Sequence, residues 1–159
     1  MITSVAMCTY NGEKFIREQL MSIINQTNPI NEIVICEDCS SDSTVSIIKE
    51  IAETNPKIQV NIQINEKNLG YRLNFQKALE LCKNDIVFLS DQDDVWREDK
   101  VETILGWFAQ HPDKDTVLTN AELIDETGNN FTDKEIYIDM DNNQKNNLNI
   151  MSPNAKSII

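Results

Sequence analysis

A chain of 159 residues with 26 Asp and Glu against 14 Lys and Arg, a net charge of −12, is long enough for one hydrophobic core but poorly equipped to track phosphate backbones. Nucleic acid is therefore not an expected partner, and an anionic small ligand would be repelled unless a divalent cation mediated the contact. No stretch approaches the ~18 apolar residues of a membrane span, and "MITSVAMCTYNG" has no basic region ahead of its apolar residues, so it reads as a first strand rather than a signal peptide and the expected compartment is the cytoplasm.

Ser4 to Cys8 reads as a short strand that runs into a turn at Asn11-Gly12. "EKFIREQLMSIIN", Glu13 to Asn25, sets Phe15, Ile16, Leu20, Ile23 and Ile24 on one helical face. Asn31 to Asp38 is a second strand with an unbroken apolar centre, and "CSSDST" offers caps for a helix carrying Ile47, Ile48 and Ile51. Ile58 to Ile64 alternates and predicts a third strand nearer an edge. "RLNFQKALELCK" is a third helix, "DIVFLS" a fourth strand, "EDKVETILGWFAQ" a fourth helix and "DTVLTNAEL" a fifth strand. Strands alternating with helices predict an α/β, Rossmann-like fold, a mostly parallel sheet flanked by helices on both faces. The core is expected over residues 1–125, and residues 126–159 as a polar, partly irregular segment rich in Asn and Asp.

Two weaker patterns are set aside. Cys36 and Cys39 form C-x-x-C without a second ligand pair, which predicts ordinary reduced thiols rather than zinc. "DMDNN" from Asp139 looks like a calcium loop but lacks the glycine at position six, and Ile150 stands where a glutamate belongs.

The chemistry concentrates at the strand ends, where ligands bind in such sheets. "DIVFLSDQDDVW" ends an apolar strand in Asp91, Asp93 and Asp94, whose mutual repulsion a Mg²⁺ or Mn²⁺ ion would relieve while sharing the oxygens of a diphosphate. A solvated turn remains the alternative on residue chemistry alone. Tyr10 could offer a ring to a base, Asp38 could accept from a base N–H, and Thr9 and Asn11 suit a polar lining.

"SVAMCTYNGEKFIREQLMSIINQT", "EIVICEDCSSDST", "NLGYRLNFQKALELC" and "DIVFLSDQDDVWREDK" occur in the order and at the spacing of family-2 glycosyltransferases, and this chain resembles their bacterial rhamnosyltransferase-like members from about Ile2 to Asp125. The resemblance implies the GT-A fold, a hexosyltransferase-type enzyme of surface polysaccharide assembly, and a UDP- or dTDP-linked sugar donor with Mn²⁺ or Mg²⁺. It also implies a saccharide or lipid-linked acceptor and peripheral association with the inner membrane face. By the same resemblance Thr9 and Tyr10 line the nucleoside pocket, Glu13 lies near it, and Asp38 meets the base. Arg72 would stand near the diphosphate and Asp91 near the ribose. Asp93, with Asp91, would hold the metal as the D-x-D element, and Asp94 would support the metal or the donor sugar as the one catalytic candidate. Glu37 departs from the more frequent Asp-Asp pair but keeps its charge. None of Asp125, Asp133, Asp139 or Asp141 matches the family's general base, which is expected beyond Ile159.

Two other readings stay open. One is a nucleotide-sugar-binding fragment without turnover. The other is a haloacid-dehalogenase-type, Mg-dependent phosphatase, whose D-x-D-x-V "DQDDV" fits loosely, with Lys100 or Lys114 as its lysine.

Overall fold

Thr3–Thr9 forms β1 and is buried along its whole length, as a strand covered on both faces must be. The computed structural model describes residues 1–119, 121–124, 130–136 and 156–158. After β1 come α1 (Ile16–Ile24), β2 (Glu32–Glu37), α2 (Thr44–Thr54), β3 (Gln59–Ile64), α3 (Tyr71–Leu81), β4 (Ile86–Ser90), α4 (Lys100–Gln110) and β5 (Thr116–Val117). The remaining elements are β6 (Ala121–Ile124), β7 (Asn130–Ile136) and β8 (Lys156–Ile158). Six strands make one sheet in the order β3-β2-β1-β4-β8-β5, with every pairing parallel, while β6 and β7 pair antiparallel. The expected α/β architecture is the one observed, with β3 at an edge.

Alternation along the strands builds two cores. Val5, Met7, Ile33, Ile35, Ile86 and Phe88 join Ile16, Leu20, Ile48, Ile51, Val101 and Phe108, so α1, α2 and α4 cover one face. Ala6, Cys8, Val34, Cys36 and Val87 join Ala78, with Phe75 and Leu79 partly buried, so α3 covers the other. Small side chains on this second face let α3 lie close, whereas Phe88 and Trp96 fill the first with rings 5.4 Å apart.

The strand order also decides where a ligand can sit. The chain moves outward from β1 through β2 to β3, then returns to place β4 on the other side of β1. The loops after β1 and β4 therefore diverge, and the crevice between them is the topological switch point where such sheets bind ligands.

Two expectations are corrected. The first helix begins at Ile16, because Gly12 O accepts both Phe15 N and Ile16 N (each 3.0 Å) and residues 13–15 are spent in a turn. The expected fifth strand divides: Thr116–Val117 stays in the sheet, while Ala121–Ile124 leaves to pair with β7. The segment expected to be polar and partly irregular supplies β7 and also β8, which enters the sheet between β4 and β5 by pairing with Ile86–Phe88. A three-residue strand has no legible period and exists only by virtue of its neighbours. The calcium-like stretch at Asp139 lies outside the described residues.

Candidate functional site

The loops after β1 and β2 brace each other. Asn11 adopts a left-handed backbone (φ 48°), which asparagine tolerates. Its Oδ1 accepts from Ser41 N (2.8 Å), and its own N–H donates to Ser40 Oγ (2.9 Å). Gly12 N donates to Thr44 Oγ1 (2.8 Å), Glu13 N to Asp42 Oδ2 (3.1 Å), and Ser43 N donates back to Glu13 Oε2 (2.9 Å). Asn11 and Glu13 thus direct their side chains to the second loop, where Glu13 serves the start of α2. The structure places them beside the expected pocket as its frame.

Strand alternation separates Thr9 from its expected companions. Thr9 falls with Val5 and Met7 on the face of α1 and α2, 2% exposed, and its Oγ1 has no hydrogen-bond partner among the described residues. The preceding Cys8 lies on the other face, level with the acids. Burial pushes its thiol well above the usual range, and the nearby Cys36, Asp91 and Asp38 push it further. Cys8 is therefore the side chain between the two aspartates that reading the motif overlooked. The signal was its even-numbered place beside Ala6 in β1. Tyr10, just past the strand, is 49% exposed and leaves its ring to solvent.

Asp38 is 3% exposed and heavily engaged. Its carboxylate accepts from Leu69 N (2.7 Å), Asn65 Nδ2 (2.8 Å) and Gly70 N (2.9 Å), and its carbonyl from Asn68 Nδ2 (3.1 Å). Gly70 can present its N–H this way because its φ of 78° suits glycine. Asn65 is held in turn by Lys77 Nζ (2.7 Å) and donates to Asn74 Oδ1 (2.8 Å). A carboxylate offers about four acceptor sites, so one remains open. Arg72, at the second position of α3, is exposed and enters no ion pair among the described residues.

The acidic loop differs in every respect. Asp91, Asp93 and Asp94 are open to solvent, and their carboxylates accept no hydrogen bond among the described residues. Partial desolvation pushes the Asp91 carboxyl up, and Asp94 and Asp93 push it further. Asp94 is raised by desolvation and by Asp93, against a smaller opposing pull from Lys100. Lys100 Nζ sits 4.3 Å from the centre of the Trp96 ring, a cation–π contact, and burial lowers its amine pKa.

Downstream, the loop is fastened to α1. Gln19 is 0% exposed in the apolar core. With its amide oriented by its neighbours, its oxygen accepts from Ser90 Oγ (2.6 Å) and Trp96 Nε1 (3.2 Å), and its nitrogen faces Asp94 O. Ser22 Oγ accepts from Trp96 N (3.0 Å), while Gln26 donates to Arg97 O (2.7 Å) and accepts from Val101 N (3.0 Å). Gln19 and Ser22 lie on the helix and Gln26 just past its end, so α1 and the turn that follows it act as a template for a segment with no regular structure.

The donor set fits a hard cation of a particular kind. No three His, Cys, Asp or Glu converge to hold a metal among the described residues, so an all-protein cage is not built there. Unpartnered, mutually repelling carboxylate oxygens fit an ion such as Mg²⁺ or Mn²⁺, which takes one or two carboxylates and completes its shell from phosphate and water.

A parallel α/β sheet with its acids gathered at the carboxyl ends around a switch point is the arrangement of the GT-A transferases. The sequence matches the family described as glycosyl transferase family 2 over residues 4–156, and the chain belongs to it. It is 39% identical over 105 residues to the dTDP-rhamnosyl transferase RfbG of Shigella flexneri, covering 62% of this chain and 35% of that protein. Among solved structures it resembles S. aureus TarS 1-349 in complex with UDP-GlcNAc, at 27% identity and a TM-score of 0.67, covering 75% of this chain and 34% of that one. It also resembles the mannosyltransferase PcManGT from Pyrobaculum calidifontis in complex with GDP-Man and Mn²⁺, at 27% identity and a TM-score of 0.63, over 67% of this chain and 32% of that one. The chain spans about a third of the length of these relatives. The family match removes the phosphatase reading, whose motif would open the first strand of its fold rather than follow β4.

Proposed function

We propose that this chain is the donor-binding part of a glycosyltransferase that takes a sugar from a UDP- or dTDP-linked donor, with Mn²⁺ or Mg²⁺, for a saccharide or lipid-linked acceptor in surface polysaccharide synthesis. The observation that carries the reading is the set of three partnerless carboxylates at the switch point, beside an exposed Tyr10 and a buried Asp38. In this reading the Tyr10 ring stacks on the base and the remaining acceptor site of Asp38 takes the base N–H. Cys8 and the loop at 65–70 shape the floor and wall. Asp91 meets the ribose, Asp93 with Asp91 holds the cation, Asp94 supports cation or donor sugar, and Arg72 approaches the diphosphate. The ion, when bound, supplies charge neutralisation for a nucleoside-diphosphate leaving group. The proposed workplace is the cytoplasmic face of the membrane. No helix among the described residues is long and apolar enough to cross one.

The test is a titration of UDP and dTDP with and without Mn²⁺, on the native chain and on Asp93→Asn. Binding that ignores both metal and substitution would count against the cation role. A second reading is donor binding without turnover. Assays of donor hydrolysis and sugar transfer separate the two.

A further inference from the structure

We propose that Gln92, between Asp91 and Asp93, is a positioning residue that couples the nucleoside wall to the acidic loop across the switch point. The inference rests on the nucleotide-binding reading and deepens it.

The geometry is a two-bond clasp. Gln92 Oε1 accepts from Tyr10 N (2.8 Å), and Gln92 Nε2 donates to Tyr10 O (3.0 Å), across 82 positions of sequence. One amide therefore satisfies both backbone groups of the residue whose ring would carry the base. The ladder between β1 and β4 ends at Met7↔Ser90, and the clasp carries the connection on where backbone pairing stops. From Gln92 to Val95 the loop makes no backbone-to-backbone hydrogen bond among the described residues. The ties to α1 begin only at Asp94 O and Trp96. Upstream of those, the side chain that fastens the Asp91–Asp93 tripeptide among the described residues is Gln92 itself, since the one hydroxyl proton of Ser90 goes to Gln19. Without Gln92, three repelling carboxylates would ride on a segment held at its ends alone.

Gly12 supports the same assignment from the opposite side. A Cβ built there would run into the Oε1 and Cδ of Gln92, nearer than atoms approach. Gly12 cannot retreat, because its N–H is given to Thr44 and its carbonyl starts the turn into α1. The flexible Gln92 side chain would yield instead and surrender the clasp. The glycine is there to leave room for the amide.

The experiment is a double-mutant cycle of Gln92→Ala and Gly12→Ala, read as UDP and uridine affinity with and without Mn²⁺, with thermal melting as the check on folding. The clasp predicts that each single variant loses about tenfold of the metal-dependent gain in UDP affinity, while metal-free uridine binding stays within about twofold. It also predicts that Gly12→Ala adds nothing once Gln92 is alanine, because nothing is left to displace. Gly12→Ala should melt close to the native chain, so it keeps the test sharp even where Gln92→Ala loosens the fold. A metal-dependent gain unchanged in Gln92→Ala overturns the proposal, as does a Gly12→Ala loss that persists in the Gln92→Ala background. Absence of any UDP or dTDP binding by the native chain is a separate result: it removes the nucleotide reading, and the coupling with it.

Discussion

Asp38 and Asp93 follow neighbouring parts of one sheet, yet the protein treats them oppositely. Around Asp38, two backbone N–H groups and an asparagine amide converge on a buried carboxylate, and the loops at 9–13 and 38–44 exchange seven hydrogen bonds. Around Asp93, three carboxylates repel one another, with Lys100 a smaller opposing pull on Asp94. The first region is largely satisfied within the protein, while the carboxylates of the second accept no hydrogen bond among the described residues. Gln19, Ser22, Gln26 and Gln92 hold that repulsion in place, as the proposed cation site requires.

The comparison can be broken where it is strongest. Asp38→Ala would strand Leu69 N, Gly70 N and the Asn65 amide, and stability should fall by about 3 kcal/mol. Calorimetry should show this as a melting temperature lower by about 6–12 °C. Asp93→Asn should leave the fold intact and remove the metal-dependent part of nucleotide affinity. The expected loss is about a hundredfold or more, since loss of even a supporting group at a metal costs up to that much. Isothermal titration with Mn²⁺ measures it, and a loss under about threefold would mean Asp93 is not a ligand. Tyr10→Ala should weaken uridine binding by about tenfold, the lower part of the range for a base stacked on an aromatic ring. Its dependence on Mn²⁺ should be unchanged, and full retention of uridine affinity would exclude stacking.

The smallest effect sharpens the contrast from the unliganded side. The Asp91 carboxyl is raised in the folded chain, so folding favours its protonated form. Its stability contribution is present below the unfolded value of about 3.9 and is lost as pH rises through the folded one. Asp91→Asn should therefore melt slightly above the native chain at pH 7, by about 1 °C after solvent screening, and level with it near pH 3. A native chain that melted higher than the variant at neutral pH would show that Asp91 is held by something other than repulsion. Mn²⁺ with UDP should close the gap by stabilising only the native chain.

Much of this was legible in the residues, and the failures are instructive. The apolar periods located four helices and the first four strands, and the acid cluster after "DIVFLS" pointed to the end of β4. Thr9 was expected in the polar lining, and a strand's period of two turns it to the other face and sets Cys8 as the neighbour of Asp38 and Asp91. Glu13 has a charge suited to a site, and the start of α2 takes it first. Gln19 hid in plain view: a polar residue on an apolar helical face reads as a break in the stripe until its buried partners are known, and Gln26, just past the helix end, reads as an ordinary loop residue.

The sequence by itself determined the element types, the parallel α/β class and the chemistry available at the strand ends. These depend on local periods and on charges a few residues apart. Only the tertiary structure decided the strand order, the insertion of Lys156–Ile158 beside β4, and the meeting of Tyr10 with Gln92. Such pairings join residues far apart in the chain, and their partners are selected by which surfaces the folded sheet brings together. No local pattern in either segment encodes them.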